Sequence, residues 1–154
     1  MVKATVEDQP DRTVPEDTLL KAELTEVKDK TIEWVDKQTK ENKSAVLLEW
    51  WFKITDKNAA DGLYEGRRIK GETDSKITNH PNNRFRNWAE ALMGRELPVG
   101  AGIDTDEDLV GLPCIISVRH RDYVDKKTGE KRVAEEIDEV MPLSGGVGDD
   151  DVPF

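Results

Sequence analysis

Hydrophobic and polar positions alternate most clearly over residues 44–55. Val46, Leu48, Trp50, Phe52 and Ile54 fall on one face with period two, and Ala45, Leu47, Glu49, Trp51 and Lys53 on the other. That is the pattern of a strand with one buried face. Residues 18–36 start the same way, with Leu20, Ala22 and Leu24 interleaved with Lys21, Glu23 and Thr25. Val27 and Ile32 then break the alternation, which predicts a bulge or a bent strand. Residues 36–43 read as a polar loop and residues 56–62 as a turn. Residues 63–73 form a third predicted strand, with Gly66 at a bulge or close approach. Over residues 81–93 the period changes: Phe85, Trp88, Ala89 and Leu92 make a helical stripe, with Asn79 as a candidate cap and Gly94 as the stop. An acidic, glycine-containing loop follows at 95–108. Residues 112–124 read as a fourth strand with Cys114, Ile116 and Val118 on one face, residues 125–130 as a hairpin turn, and residues 131–141 as a fifth strand.

Three strands, one helix and two strands, β-β-β-α-β-β, is the order of a five-stranded OB-fold barrel, all-β with one helix. The competing arrangement is a generic α+β sheet with the helix on one face. The length of 154 residues suits one domain with tails. Residues 1–17, polar and containing Pro10 and Pro15, read as a flexible N-terminal arm, residues 18–143 as the folded domain, and residues 144–154, rich in Gly and Asp, as a disordered acidic tail.

Composition narrows the function. No apolar run approaches the roughly 18 residues of a membrane span, and the N-terminus has no apolar stretch resembling a signal peptide. One cysteine, Cys114, excludes an internal disulfide framework and a cysteine-built zinc site, and the two histidines, His80 and His120, are few for a histidine-based one. The expected setting is a reducing cytoplasm. The net charge of −10 is unevenly spread: residues 1–17 carry −3, residues 135–154 carry −7, and residues 18–134 hold as many basic as acidic side chains. Within that middle, residues 104–108 concentrate −4, so the remaining body is mildly basic.

No phosphate-binding GxxxxGK[ST] loop, GxGxxG or HExxH occurs. Cys114 lies on an apolar face, the place of a small core residue rather than a nucleophile. The acidic run 104–108 lacks EF-hand spacing and reads as a solvated loop. No catalytic residue, cofactor or metal is expected. Nucleic-acid binding has more support, because a single-strand binder needs aromatic faces for bases and cations for phosphates. Opposite the apolar stripes stand Trp51 and Lys53 on the second strand, Tyr64, Arg67, Arg68 and Lys70 on the third, and Arg119, Arg121 and Tyr123 on the fourth. Trp34 belongs either to this set or to the edge of the core. Each residue has a plainer reading: Trp51 covered by a loop or a dimer partner, Arg67 and Arg68 paired with Glu65 or Glu72.

The chain ends Asp149-Asp150-Asp151-Val152-Pro153-Phe154, behind Gly145, Gly146 and Gly148. This end resembles the C-terminal tip of bacterial single-stranded DNA-binding proteins. An aromatic anchor, its terminal carboxylate and preceding aspartates suit an apolar pocket with a basic rim on a partner. The body lacks the long Gly/Gln-rich linker of those proteins. It is similar instead to OB-fold single-stranded DNA-binding proteins of bacteriophages, in its Glu49-Trp50-Trp51-Phe52 strand, its Gly62-Leu63-Tyr64-Glu65-Gly66-Arg67-Arg68-Ile69 segment, its single helix, and Val110-Gly111-Leu112-Pro113-Cys114 before a long hairpin ending Met141-Pro142-Leu143. The resemblance implies a phage protein of replication or recombination, working in the host cytoplasm. It would bind single-stranded DNA with little sequence preference and recruit replication or repair proteins through its tail. The alternative is an OB-like protein-interaction module that binds no nucleic acid, and a more distant one is a metal-dependent nuclease using the acids at 104–108.

Overall fold

The computed structural model describes residues 3–6 and 11–143. Five strands and one helix follow in the order β1 (Leu19–Val35), β2 (Asn42–Ile54), β3 (Arg68–Asp74), α1 (Arg84–Met93), β4 (Pro113–Val124) and β5 (Lys131–Met141). β1 pairs antiparallel with both β2 and β4, β2 with β3, and β4 with β5. β3 and β5 run parallel and meet at Lys70–Glu136. One five-stranded sheet therefore closes in a ring, β1-β2-β3-β5-β4.

The predicted alternation decides which side chains point into the ring. Leu20, Ala22 and Leu24 of β1, Trp50, Phe52 and Ile54 of β2, and Cys114, Ile116 and Val118 of β4 are buried, with Ile69 and Ile137 between them. The register of β1 against β2 shifts between Leu24 and Glu26, so Thr25 is the extra residue. This bulge flips the parity of the strand and brings Val27 back toward the core.

Helix α1 lays Phe85, Trp88, Ala89, Ala91 and Leu92 against that core. Trp88 meets Trp50 edge to face at 5.4 Å and Phe52 at 5.9 Å. Its ring lies where the side chain of residue 71 would be, and only glycine leaves that space. The buried Trp50 indole donates Nε1–H to Thr73 Oγ1 at 2.8 Å, which satisfies the one polar atom a tryptophan brings inside. The helix begins at Arg84 rather than at residue 81. Asn83, not Asn79, is the cap, accepting the Arg86 N–H at 2.8 Å, because residues 80–83 are taken up by a turn closed by the Asn83 N–H on the His80 carbonyl. Gly94 ends the helix at φ +70°, as expected.

Three segments differ from expectation. Residues 59–67 form a tight turn in which Ala60, Asp61, Gly62 and Gly66 have positive φ, so the third strand starts at Arg68 rather than at residue 63. Residues 105–109, expected as loop, make one π-helical turn (Thr105–Leu109) capped by Asp104, with Leu109 fully buried. The N-terminal arm, expected to be flexible, is tied down over residues 12–17. Val14 is fully buried, its N–H donates to Glu135 at 2.6 Å, and Arg12 donates to the Leu63 and Glu65 carbonyls.

Two antiparallel ribbons extend past the ring. The β1–β2 ladder runs on to Val35–Asn42, whereas the β2–β3 ladder stops at Leu47–Asp74. The β4–β5 ladder likewise continues to Val124–Lys131. Because β1 and β4 run antiparallel, the two ribbons leave the ring at opposite ends.

Candidate nucleic-acid interface

Residues that are registered neighbours across a sheet point to the same side of it. On the outside of the ring, Glu26 of β1 opposes Trp51 of β2, Trp51 opposes Lys70 of β3, Lys70 meets Glu136 of β5, and Glu136 opposes Arg119 of β4. This single row crosses all five strands. Lys28, Lys30 and Trp34 follow Glu26 along β1 on the same face, opposite Glu49, Leu47 and Lys43. Lys53 opposes Arg68, and Arg121 and Tyr123 continue the face down β4.

Trp51 is half-buried in this row. The Arg68 guanidinium stands 5.0 Å from its ring centre and the Lys28 ammonium 5.9 Å. Its indole Nε1–H is shielded and has no hydrogen-bond partner among the described residues. Trp34 and Tyr123, by contrast, are open to solvent at 45% and 40% exposure. They occupy the β1–β2 and β4–β5 ribbons, Trp34 opposite Lys43 and Tyr123 opposite Arg132, with the Arg121 guanidinium 5.9 Å from the tyrosine ring.

The cations between the ribbons rest on carboxylates. Lys30 bonds Glu72 at 2.8 Å and lies 3.6 Å from Glu49, while Lys70 lies 3.4 Å from Glu49 and 3.8 Å from Glu72. Arg121 is hydrogen-bonded to Glu136, and Arg119 reaches Glu136 and Asp138. Arg68 pairs with Glu26 at 3.2 Å. Burial pulls the Glu72 carboxyl upward, but Lys30, then Lys70 and Arg121, outweigh it and hold the group below the ordinary glutamate value. Lys53 has no ion pair among the described residues and is exposed. No protein-family model matches the chain, and no curated protein matches it.

The structure thus brings Trp51, Lys53, Arg68, Lys70, Arg119 and Arg121 onto one face and sets Trp34 and Tyr123 at its two ends. It does not bring Tyr64 or Arg67 there. Tyr64, only 9% exposed, turns into the core, because the chain before Arg68 is a turn and not a strand. Arg67 makes two bonds to Glu135, at 2.6 and 2.8 Å, and a third to the Arg12 carbonyl, so it fastens the N-terminal segment instead. Burial raises Glu135, but the Arg67 and Val14 bonds prevail and leave it below the ordinary value. Lys28, Lys30 and Arg84 escaped the sequence reading. The first two were visible in principle, since Lys28, Lys30, Ile32 and Trp34 alternate on one side of β1 once the bulge is allowed for. The tail residues Asp149, Asp150, Asp151, Val152, Pro153 and Phe154 lie outside the described residues.

Burial pushes the Cys114 thiol up to about 12, so it stays protonated at neutral pH. Two acids of 104–108 cap their own turn: Asp104 accepts the Asp106 and Glu107 N–H groups, and Asp108 accepts that of Asp104. Among the described residues no cluster of three or more His, Cys, Asp or Glu side chains is arranged to hold a metal ion, and no helix is long and apolar enough to cross a membrane.

Proposed function

We propose that this chain is a non-catalytic single-stranded DNA-binding protein built on an OB-fold. The observation that carries the reading is the pair of solvent-open rings, Trp34 and Tyr123, one on each ribbon and each beside cations, with Trp51 and a row of lysines and arginines between them. Bases stacked on such rings and phosphates drawn to such cations are the two contacts a single strand needs. The order β1-β2-β3-β5-β4 with a helix between β3 and β4 agrees with the OB arrangement, whose ligand face is the outside of strands 2 and 3 flanked by the 1–2 and 4–5 connections. The acidic C-terminal residues 149–154 would recruit replication or repair proteins, in keeping with a phage protein of replication or recombination.

The carboxylates under the cations favour one competing reading, a protein-interaction module, because a face already neutralised attracts phosphate less. One experiment separates the two. Labelled oligo-dT is titrated with the protein, with and without Mg²⁺, over a range of salt. Binding without cleavage, with a log–log salt slope of roughly −0.7 per phosphate neutralised and much weaker binding to duplex, supports the proposal. No binding transfers the face to a protein partner, and Mg²⁺-dependent cleavage makes the protein a nuclease.

A further inference from the structure

One half-buried cation beside this face lacks an ion pair among the described residues. Arg84, the first residue of α1, lies with its guanidinium 4.6 Å from the Trp88 ring centre and donates Nη2 to the Ile137 carbonyl at 3.2 Å. Its Nε is buried with no partner among the described residues. Arg68, Arg119 and Arg121 all touch a carboxylate, whereas Arg84 has none at ion-pair distance among the described residues. Burial, and then repulsion from Arg119, pull its pKa below the ordinary arginine value against the opposite influence of Asp138, Glu136 and Glu139. An uncompensated half-buried charge is destabilising, and the cation–π contact offsets only part of that.

Arg84 lines a cleft with Leu47, Glu72, Asn82, Arg119 and Glu136 that opens beside the Lys70–Glu136 row. Its rim holds two guanidiniums and, counting Asp74, three carboxylates, a formal charge of −1. A phosphate gains nothing from that net field. A neutral, flat ring that offers acceptors on one edge and donors on another can use both signs at once. Guanine is such a ring: O6 and N7 accept from arginine, and its amine and N1–H donate to a carboxylate or amide oxygen. Thymine offers acceptors but one N–H.

We propose that this cleft is a nucleobase pocket that prefers guanine, with Arg84 and Arg119 facing O6 and N7, Glu72 or Glu136 facing the amine, and Leu47 giving the ring an apolar contact. The pocket rests on the single-strand reading above and adds a local base preference to it.

The test uses the wild-type protein and two labelled oligonucleotides of equal length, oligo-dT and oligo-dT with one central guanine, followed by fluorescence anisotropy. The guanine should tighten binding about tenfold, toward the lower end of what one bidentate base contact confers. Replacing it by 7-deazaguanine, which lacks N7, or by hypoxanthine, which lacks the amine, should each remove several-fold of that gain. Arg84→Met should abolish the difference between the two oligonucleotides. Equal binding of both by the wild-type protein overturns the pocket and leaves the single-strand reading standing. Binding of neither overturns both. If Arg84→Met weakens both equally and lowers the salt slope, Arg84 holds a phosphate and the base pocket is wrong. The base analogues are read on unmodified protein, so they decide the matter even if the variant fails to fold.

Discussion

Gly71→Ala is the sharpest test of how the helix and the face are joined. A Cβ built at residue 71 would overlap Trp88 Cη2 and come within 2.9 Å of Trp88 Cζ3 and of Ile137 Cβ. Carbon atoms pack comfortably at about 3.5–4.0 Å, so Trp88 must retreat by about an ångström or more. Overpacking of this size costs about 1–3 kcal/mol, and withdrawal of Trp88 also weakens its edge-to-face contacts with Trp50 and Phe52, each about 0.5–1.5 kcal/mol. Against this stands a gain of about 0.4–1 kcal/mol from a stiffer unfolded chain, since the φ of Gly71 lies outside the left-handed region. The net loss should be about 1–3 kcal/mol, or roughly 3–9 °C in Tm at some 3 °C per kcal/mol for a chain of this length. Urea titration and thermal scans followed by near-UV circular dichroism measure it. Gly66→Ala is the control, a residue at φ +87° with none of the described residues within 4 Å of its Cβ, where backbone strain acts alone. Trp88→Leu added to Gly71→Ala should show favourable coupling in a double-mutant cycle. Because Arg84 lies on the Trp88 ring, Gly71→Ala should also blunt the guanine preference. A Gly71→Ala protein as stable as wild type, with unchanged near-UV spectra, would refute the seating of Trp88 against β3.

Trp34→Ala and Tyr123→Ala should each weaken oligo-dT binding by about 1–3 kcal/mol and leave Tm nearly unchanged. Their effects should add, as expected for sites at opposite ends of the ring; anisotropy titration of the single and double variants checks both points. Trp51→Ala should weaken binding by a similar amount, and oligo-dT should quench the wild-type tryptophan fluorescence. Glu72 and Glu135 both have carboxyl groups held below their ordinary value of 4.5, so the stability they add is present at neutral pH and is lost as pH falls below about 4.5 and through their lowered folded-state values. Thermal scans from pH 7 to pH 3 should show that loss, and Glu135→Gln should be less stable at pH 7 and flatter with pH. Removing residues 144–154 should leave the fold intact, keep oligo-dT affinity equal or raise it slightly at low salt, and abolish pull-down of host proteins, as deletion of Phe154 alone should largely do. Identical proteins captured by all three forms would make the tail a plain solubilising end.

The elements that sequence reading recovered are those where one local rule governs the chain. Residues 46–54 alternate because one face of β2 is core and the other is not, and Phe85, Trp88, Ala89 and Leu92 repeat because α1 has one buried stripe. The break at Val27 was a true sign of the Thr25 bulge. What escaped depends on partners distant in the chain. Arg67 looked like any strand cation, and only its approach to Glu135 makes it a fastener; Val14 is a lone apolar residue in a polar stretch until that same pair holds it down. Tyr64 reads as outward only if the third strand begins at residue 63, and the positive-φ turn before Arg68 removes that part of the strand. Arg84 did leave a trace: it stands four residues before Trp88, the spacing at which a helix lays a cation on a ring.

The junction between β3 and β5 has a kinetic consequence. Every other neighbour pair in the ring shares a ladder of several residues, but these two strands share the single pair Lys70–Glu136. The β1–β2, β2–β3 and β4–β5 pairs join strands adjacent in sequence, so each can form early at small loop-closure cost. Joining β3 to β5 and β1 to β4 encloses the helix and the long loop, and contacts of such sequence separation come late. The bidentate Arg67–Glu135 pair lies beside that last junction and pins residues 12–14 across it. A bond made after the folding barrier does little for the folding rate and acts instead on escape from the native state. The N-terminal segment should therefore act as a latch on an already closed ring, so that Arg67→Ala speeds unfolding more than it slows folding.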